Sequence, residues 1–246
     1  MEWSEHGIVL STRRHGEADI ILEVMTETRG RHLGLVKGGR SRRQRPILQP
    51  GNTLSLTWRA RLDAHLGNFR AEPITERAAA IMADRTASYG MQLLSAHFRL
   101  LAERDPHPAL HAALRTLLDG ALSADAARAG FAAGMVHFEI MLLEELGVGL
   151  DLTACAATGT TERLVYVSPK SGRAVSEGAG APYRDRLLPL PAFLRAEGDE
   201  TLPDEEDLAA GFAITGLFLD RHVLAPRGLG LPEMRQAFIR TALARP

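Results

Sequence analysis

Thr53-Leu54-Ser55-Leu56-Thr57-Trp58-Arg59 alternates without a break, with Leu54, Leu56 and Trp58 on one side and Ser55, Thr57 and Arg59 on the other. Successive side chains of an extended chain point to opposite faces, so this stretch is a strand with one apolar and one wet face. Upstream, Gly7 to Thr12, Asp19 to Thr26 and Arg31 to Lys37 are short runs rich in Ile, Val and Leu, separated by polar or glycine-bearing turns. Downstream, Leu66 to Glu72 supplies a fifth strand. Five short strands with no helix between most of them predict a small closed barrel, because closure removes the unpaired edges that an open sheet of that size would leave.

An OB-fold over residues 1–80 is the natural form of such a barrel, and its usual use is oligonucleotide binding. The charge pattern points the same way. Between Arg29 and Arg45 stand Arg29, Arg31, Lys37, Arg40, Arg42, Arg43 and Arg45, with no acidic residue among them and with Gly38-Gly39 as a turn. The formal charge of the chain is −1, yet residues 1–80 hold 13 Lys plus Arg against 9 Asp plus Glu, and the remainder carries a net of −5. A basic N-terminal part joined to an acidic body suits a surface that meets phosphate backbones. Lys37 and Lys170 are the only lysines; the guanidinium fork of arginine grips phosphate and its flat face stacks on bases.

Beyond Pro73 the period changes. Tyr89, Leu93, Leu94, His97, Leu100 and Leu101 lie at helical spacing within Ala83 to Arg104, and Asp105-Pro106 ends that run. Leu110, Leu114, Leu117 and Leu118 mark a second helix before Gly120, and Phe131, Met135, Phe138, Leu142 and Leu146 a third, with Gly147 as its C-cap. Further helices are expected around Leu208 to Leu224 and Pro232 to Ala244, with Pro203 and Pro232 where a first-turn proline is tolerated. The expected architecture is thus α+β and multidomain, with residues 81–246 forming an α-helical domain interrupted at about 151–188. Within that interruption, Leu164 to Ser168 and Gly172 to Ser176 read as two strands around Pro169-Lys170-Ser171, with Cys155 upstream. The shape is that of a zinc ribbon, but one cysteine cannot make a four-ligand site, so no metal and no cofactor is expected.

Several function classes find no support. The G-x-x-x-x-G-K-[ST] pattern of a P-loop is absent, no His pair has the H-E-x-x-H spacing, and Asp204-Glu205-Glu206-Asp207 fits a helix N-terminus better than a metal-dependent nuclease. A deaminase would need H-x-E and P-C-x-x-C. No catalytic residue is therefore assigned. The N-terminus has no signal-peptide pattern, no apolar run reaches the roughly 18 residues of a membrane span, and Cys155 alone forms no internal disulfide, all of which suit a cytoplasmic protein. Trp58 and Phe69 are expected in the core rather than as stacking platforms, and His97 as a core or boundary histidine.

The chain resembles the RecO family of bacterial recombination and DNA repair proteins. The resemblance spans nearly the full length and rests on Gly7-Ile8-Val9-Leu10, His15-Gly16-Glu17-Ala18-Asp19, Thr28-Arg29-Gly30, Val36-Lys37-Gly38-Gly39-Arg40, Leu146-Gly147, Asp151-Leu152, Cys155, Tyr166-Val167-Ser168-Pro169-Lys170-Ser171-Gly172 and Leu187-Leu188-Pro189-Leu190-Pro191. It implies an OB-fold joined to a helical domain bearing a zinc ribbon or its remnant. It also implies a non-catalytic, nucleoid-associated protein that binds single- and double-stranded DNA and anneals complementary strands. RecR, the C-terminal tail of single-strand-binding protein and, indirectly, RecA are the implied protein partners. Where relatives place two metal-binding pairs, this chain has Cys155 and Thr158, then Ser176 and Ala179, so the hairpin should persist without the metal, held by Leu164, Tyr166, Val167 and Val175. The alternative is an adaptor whose helical arginines, Arg99, Arg104, Arg115 and Arg128, receive the acidic tail of single-strand-binding protein with little DNA affinity of its own.

Overall fold

The computed structural model describes residues 1–122, 128–195 and 202–244. It divides into two compact units, Met1–Ala124 and Asp125–Pro246.

The first unit is built on a closed five-stranded barrel of β1 (Glu2–His15), β2 (Asp19–Thr26), β3 (Gly30–Val36), β4 (Thr53–Arg59) and β5 (Asn68–Thr75), in the order β1-β2-β3-β5-β4. β1 is long enough to pair with β4 through its first half and with β2 through its second. A single parallel contact, Leu35 with Asn68, closes the barrel between β3 and β5. The alternation of β4 is realised: Leu54, Leu56 and Trp58 are fully buried while Ser55, Thr57 and Arg59 face outward. Closure at Trp58 depends on Gly67, whose φ of +66° and lack of a side chain let the indole lie where a Cβ would come within 2.3 Å. The connection from β3 to β4 contains one short helical turn, α1 (Gln44–Ile47), and carries most of the basic run.

The expected helix over Ala83 to Arg104 is realised as a shorter one that ends at Phe98, and a separate short helix that the period did not predict comes before it. α2 (Ala78–Ala83) ends at Asp84, which adopts an extended conformation and caps α3 (Arg85–Phe98) by accepting the Ala87 N–H at 2.7 Å. An aspartate preceding a helix supplies an acceptor to an otherwise orphaned donor, and that is a better start than continuation. α3 lies on the barrel, where the Ser95 hydroxyl donates to the Leu10 carbonyl at 2.8 Å, and α4 (Pro108–Ala121) completes the unit. Arg77 ties α4 to the barrel through Asp119 and Thr53, both at 2.8 Å. His97 is buried, as expected.

In the second unit, α5 (Arg128–Glu145) leads into the ribbon region, with β6 (Leu164–Val167), β7 (Ala174–Ser176), α6 (Glu177–Gly180) and β8 (Leu188–Pro189), followed by α7 (Glu205–Phe218) and α8 (Glu233–Leu243). Gly147 closes α5 at φ +78°, with Val148 N–H donating to the Leu143 carbonyl and Gly147 N–H to that of Glu144, the paired bonds of a Schellman cap. The β7-β6-β8 sheet puts Leu164, Val167, Ala174 and Val175 in the core. Pro203 and Pro232 fall earlier than the first turn: Asp204 is the N-cap of α7, accepting the Asp207 N–H at 2.8 Å, which puts Pro203 two positions before the first helical residue, and Pro232 is itself the N-cap of α8.

The stretch Glu205–Arg227 continues α7 through a π-helical segment at Leu219–Leu224, and is long and apolar enough to cross a membrane on composition alone. That corrects the expectation that no run reaches this length. Its most apolar window is 56% buried within the unit, which is why it is apolar around its circumference. At its centre Thr215 joins a buried ion pair, Glu139 with Arg235 at 2.8 Å, so the one carboxylate in the apolar interior of α5 is matched.

Candidate nucleic-acid interface

The basic run does not form one continuous track. Arg29 sits in the β2–β3 turn, exposed, with its guanidinium 5.6 Å from the centre of the Trp3 ring. The loop carrying Lys37 to Arg45 lies at the other end of β3, about 20 Å away at roughly 3.3 Å per residue. Arg31 departs furthest from expectation. Its side chain is only 15% exposed, pairs with Glu23 at 3.0 Å and donates to the Leu101 carbonyl at 3.3 Å. Glu23 also receives Ser11 at 2.6 Å and Arg99 at 2.8 Å. Burial alone would raise the Glu23 carboxyl, but the Arg99, Ser11 and Arg31 contacts outweigh it and hold the group below its ordinary 4.5. Arg31 is thus committed to the packing of α3 against the barrel, which sequence could not reveal because its partner stands eight residues away on the neighbouring strand.

The remaining cations are brought together, and the structure adds others. The loop after β3 folds back onto the β1–β2 hairpin: Gly38 N–H donates to the Asp19 carboxylate at 2.8 Å, Arg40 N–H to the Ala18 carbonyl at 3.0 Å, and the Arg40 guanidinium to the Glu17 carbonyl. Gly39 permits this approach, since a Cβ there would lie 2.6 Å from Ile20. Exposed Arg13 and Arg14, opposite Ile21 and Ile20 at the tip of β1, therefore join exposed Lys37, Arg40, Arg42, Arg43 and Arg45 at one end of the barrel. Reading the chain by linear clusters missed Arg13 and Arg14; the strand pairing that brings them in was legible only as a hairpin.

Two recesses flank this loop. One, of about 560 Å³, runs between the loop and the outer faces of β1, β4 and β5 and is lined by Lys37, Arg43, Gln44, Ile47, Thr57, Arg59 and Arg70 among others. Two of its arginines are neutralised, Arg59 by Glu2 at 2.7 Å and Arg70 by Glu72 at 3.0 Å. The other, of about 260 Å³, lies between the loop and the β1–β2 hairpin and is lined by Thr12, Arg14, Ile20, Gly39, Arg40, Arg45, Leu48 and Gln49, with no carboxylate. Trp58 is buried and lines neither recess, and Phe69, which borders the larger one, is only 5% exposed, so neither offers an open stacking face; both pack with His32 and the half-buried Trp3 in an aromatic cluster.

The matches of two family models bear directly on this barrel and on the unit that follows it. Residues 1–77 match the N-terminal domain of recombination protein O and residues 83–229 its C-terminal domain. The chain belongs to the RecO family. Curated relatives named DNA repair protein RecO include one from Chelativorans sp. (strain BNC1), 55% identical over 97% of this chain and 94% of that protein. Others come from Rhizobium etli (strain CIAT 652), 54% identical over 99% and 93%, and Methylobacterium nodulans, 54% identical over 97% and 97%.

RecO family membership raises the question of a structural zinc, and the residues present do not fit one. The Cys155 sulfur is buried and accepts the Ser176 N–H at 3.2 Å. Its knuckle turn is closed by Gly159 N–H donating to the Cys155 carbonyl and Cys155 N–H to that of Thr160. Thr158, Ser176 and Ala179 supply no thiolate or imidazole, and among the described residues no group of three His, Cys, Asp or Glu could hold a metal. Burial would raise the Cys155 thiol, but hydrogen bonds from Ser176 and Thr158 outweigh it and bring it down to about 6.

Proposed function

We propose that this chain is a DNA-binding recombination mediator in DNA repair that works without catalysis. In this reading it binds single- and double-stranded DNA, anneals complementary strands, and with RecR helps RecA load on DNA coated by single-strand-binding protein, whose acidic tail it also engages. The observation that carries the reading is the gathering of Arg13, Arg14, Lys37, Arg40, Arg42, Arg43 and Arg45 at one end of a barrel of the kind that binds oligonucleotides. Two complementary strands repel, and cations that neutralise both lower the barrier to their approach with no reacting group required. The adaptor alternative loses two of its four arginines, because Arg99 pairs with Glu23 and Arg104 donates to the Asp63 and His65 carbonyls.

The test is anisotropy of a labelled single-stranded oligonucleotide across a salt series. If about four phosphates are engaged, log affinity should fall against log salt with a slope near −3. The triple change Arg40→Ala, Arg42→Ala, Arg43→Ala should make that slope shallower. Absence of binding by the unmodified chain would sink the mechanism and favour an adaptor that reaches DNA through its partners.

A further inference from the structure

The two recesses are separated by α1, and the turn divides its side chains between them. Arg43, Gln44 and Ile47 line the larger recess, whereas Arg45, Leu48 and Gln49 line the smaller. At 3.6 residues per turn, positions 43, 44 and 47 share one side of a helix and 45, 48 and 49 the opposite side. Both recesses present cations, but their cations come from different places. Lys37 and Arg43 serve the first; Arg14, Arg40 and Arg45 serve the second, whose lining includes no carboxylate. The second is closed at its base by the buried Ile20 and Leu48, which fix the position of the cations around it. Hydrogen-bonding groups complete it: Thr12 is exposed at the rim, and the Gln49 amide nitrogen is held by the Arg45 carbonyl at 2.8 Å, which leaves its amide oxygen to accept.

We propose that α1 is a divider between two nucleic-acid lanes, so that one barrel holds two single strands at once, one on Lys37 and Arg43 and the other on Arg14, Arg40 and Arg45. This rests on the nucleic-acid reading above and goes beyond it by giving each strand its own site. A helix with its side chains is about 10–12 Å wide, which exceeds the Debye length of about 8 Å at physiological salt. Two phosphate backbones held on either side are therefore kept at least that far apart, their solvent-facing charges are screened by salt, and the cations between them offset the remaining repulsion. Such an arrangement brings strands together without demanding that they already pair.

The experiment uses the full chain and two non-complementary oligonucleotides of about twelve nucleotides, one with a donor dye and one with an acceptor. Sedimentation velocity fixes the number of chains per complex. The unmodified chain should take up one of each per chain and show energy transfer. Arg14→Gln with Arg45→Gln, and separately Lys37→Gln with Arg43→Gln, should each abolish the transfer and leave one oligonucleotide bound. The affinity of the surviving lane should stay within about threefold, as expected for independent sites. Annealing of complementary strands should slow by about tenfold or more in both variants. Circular dichroism of each variant checks that these exposed substitutions leave the fold intact. One oligonucleotide per chain in the unmodified protein, weakened equally by both pairs of substitutions, would overturn the proposal in favour of a single track over the loop. No binding of either oligonucleotide would remove the nucleic-acid reading itself.

Discussion

His32 lies in the barrel interior on β3, 2% exposed, with the rings of Trp3, Trp58 and Phe69 centred 5.0, 5.2 and 5.9 Å away. Among the described residues neither ring nitrogen has a hydrogen-bond partner, so burial favours the neutral imidazole. Burial, with help from the charges of Arg104 and Arg29 and against that of Asp63, pushes it down to about 4. The sign follows from linkage. Below its unfolded value near 6.5 the unfolded chain takes a proton that the folded chain refuses, so the stability that neutral His32 contributes at neutral pH is lost as pH falls from 6.5 towards 4. Between pH 7.5 and pH 5 the loss should be on the order of 2 kcal/mol, read as a lower urea midpoint. His111 and His137 are also held down by burial, so the comparison that isolates His32 is His32→Phe, whose midpoint should vary less over the same range. An equal pH dependence in that variant would assign the effect to the other histidines.

At the scale of elements, the ribbon region shows hydrogen bonds and packing standing where a metal would otherwise hold the turn. Cys155 joins its knuckle to β7 through its sulfur, and Ala156 N–H donates to the Ala174 carbonyl at 2.8 Å beside it. Removing the thiol leaves the buried Ser176 N–H without an acceptor, a loss of about 1–3 kcal/mol. Cys155→Ala should therefore lower the melting temperature, while a strong chelator should leave that of the unmodified chain where it is; a chelator-induced fall of several degrees would show that a metal contributes after all. The hairpin was legible from sequence because the short apolar runs within Leu164 to Ser168 and Gly172 to Ser176 flank a Pro169-Lys170-Ser171 turn, and the barrel because five apolar runs are separated by recognisable turns. The short α2 was not legible, since the residues from Ala78 to Ala83 are too few to show a period, and the end of α3 at Phe98 was overrun because Leu100 and Leu101 keep the helical spacing. Nor was the fate of Arg31 or the recruitment of Arg13 and Arg14 legible. Each depends on strand register, which sets neighbours across the sheet that a linear reading does not see.

For the whole molecule, the charge division follows the structural one. Met1–Ala124 holds 17 Lys and Arg against 13 Asp and Glu, and Asp125–Pro246 holds 12 against 17. Proximity in sequence and proximity in space then make opposite forecasts for the salt dependence of binding. If the linear run mattered, Arg29 would count as much as Arg42, and Arg13 and Arg14 would not count. The fold reverses this, because Arg13 and Arg14 share the barrel end with the loop and Arg29 does not. For a single strand, every phosphate that is no longer neutralised makes the slope of log affinity against log salt shallower by about 0.7. Arg13→Gln with Arg14→Gln should flatten it by about 1.4, and Arg29→Gln should leave it unchanged. Exposed Arg184 and Arg186, on the acidic unit, provide the matched control: their exchange for glutamine removes the same formal charge far along the chain. A slope flattened as much by that pair as by Arg13 and Arg14 would place the second unit on the path of the strand too, and the barrel end would no longer suffice to explain binding.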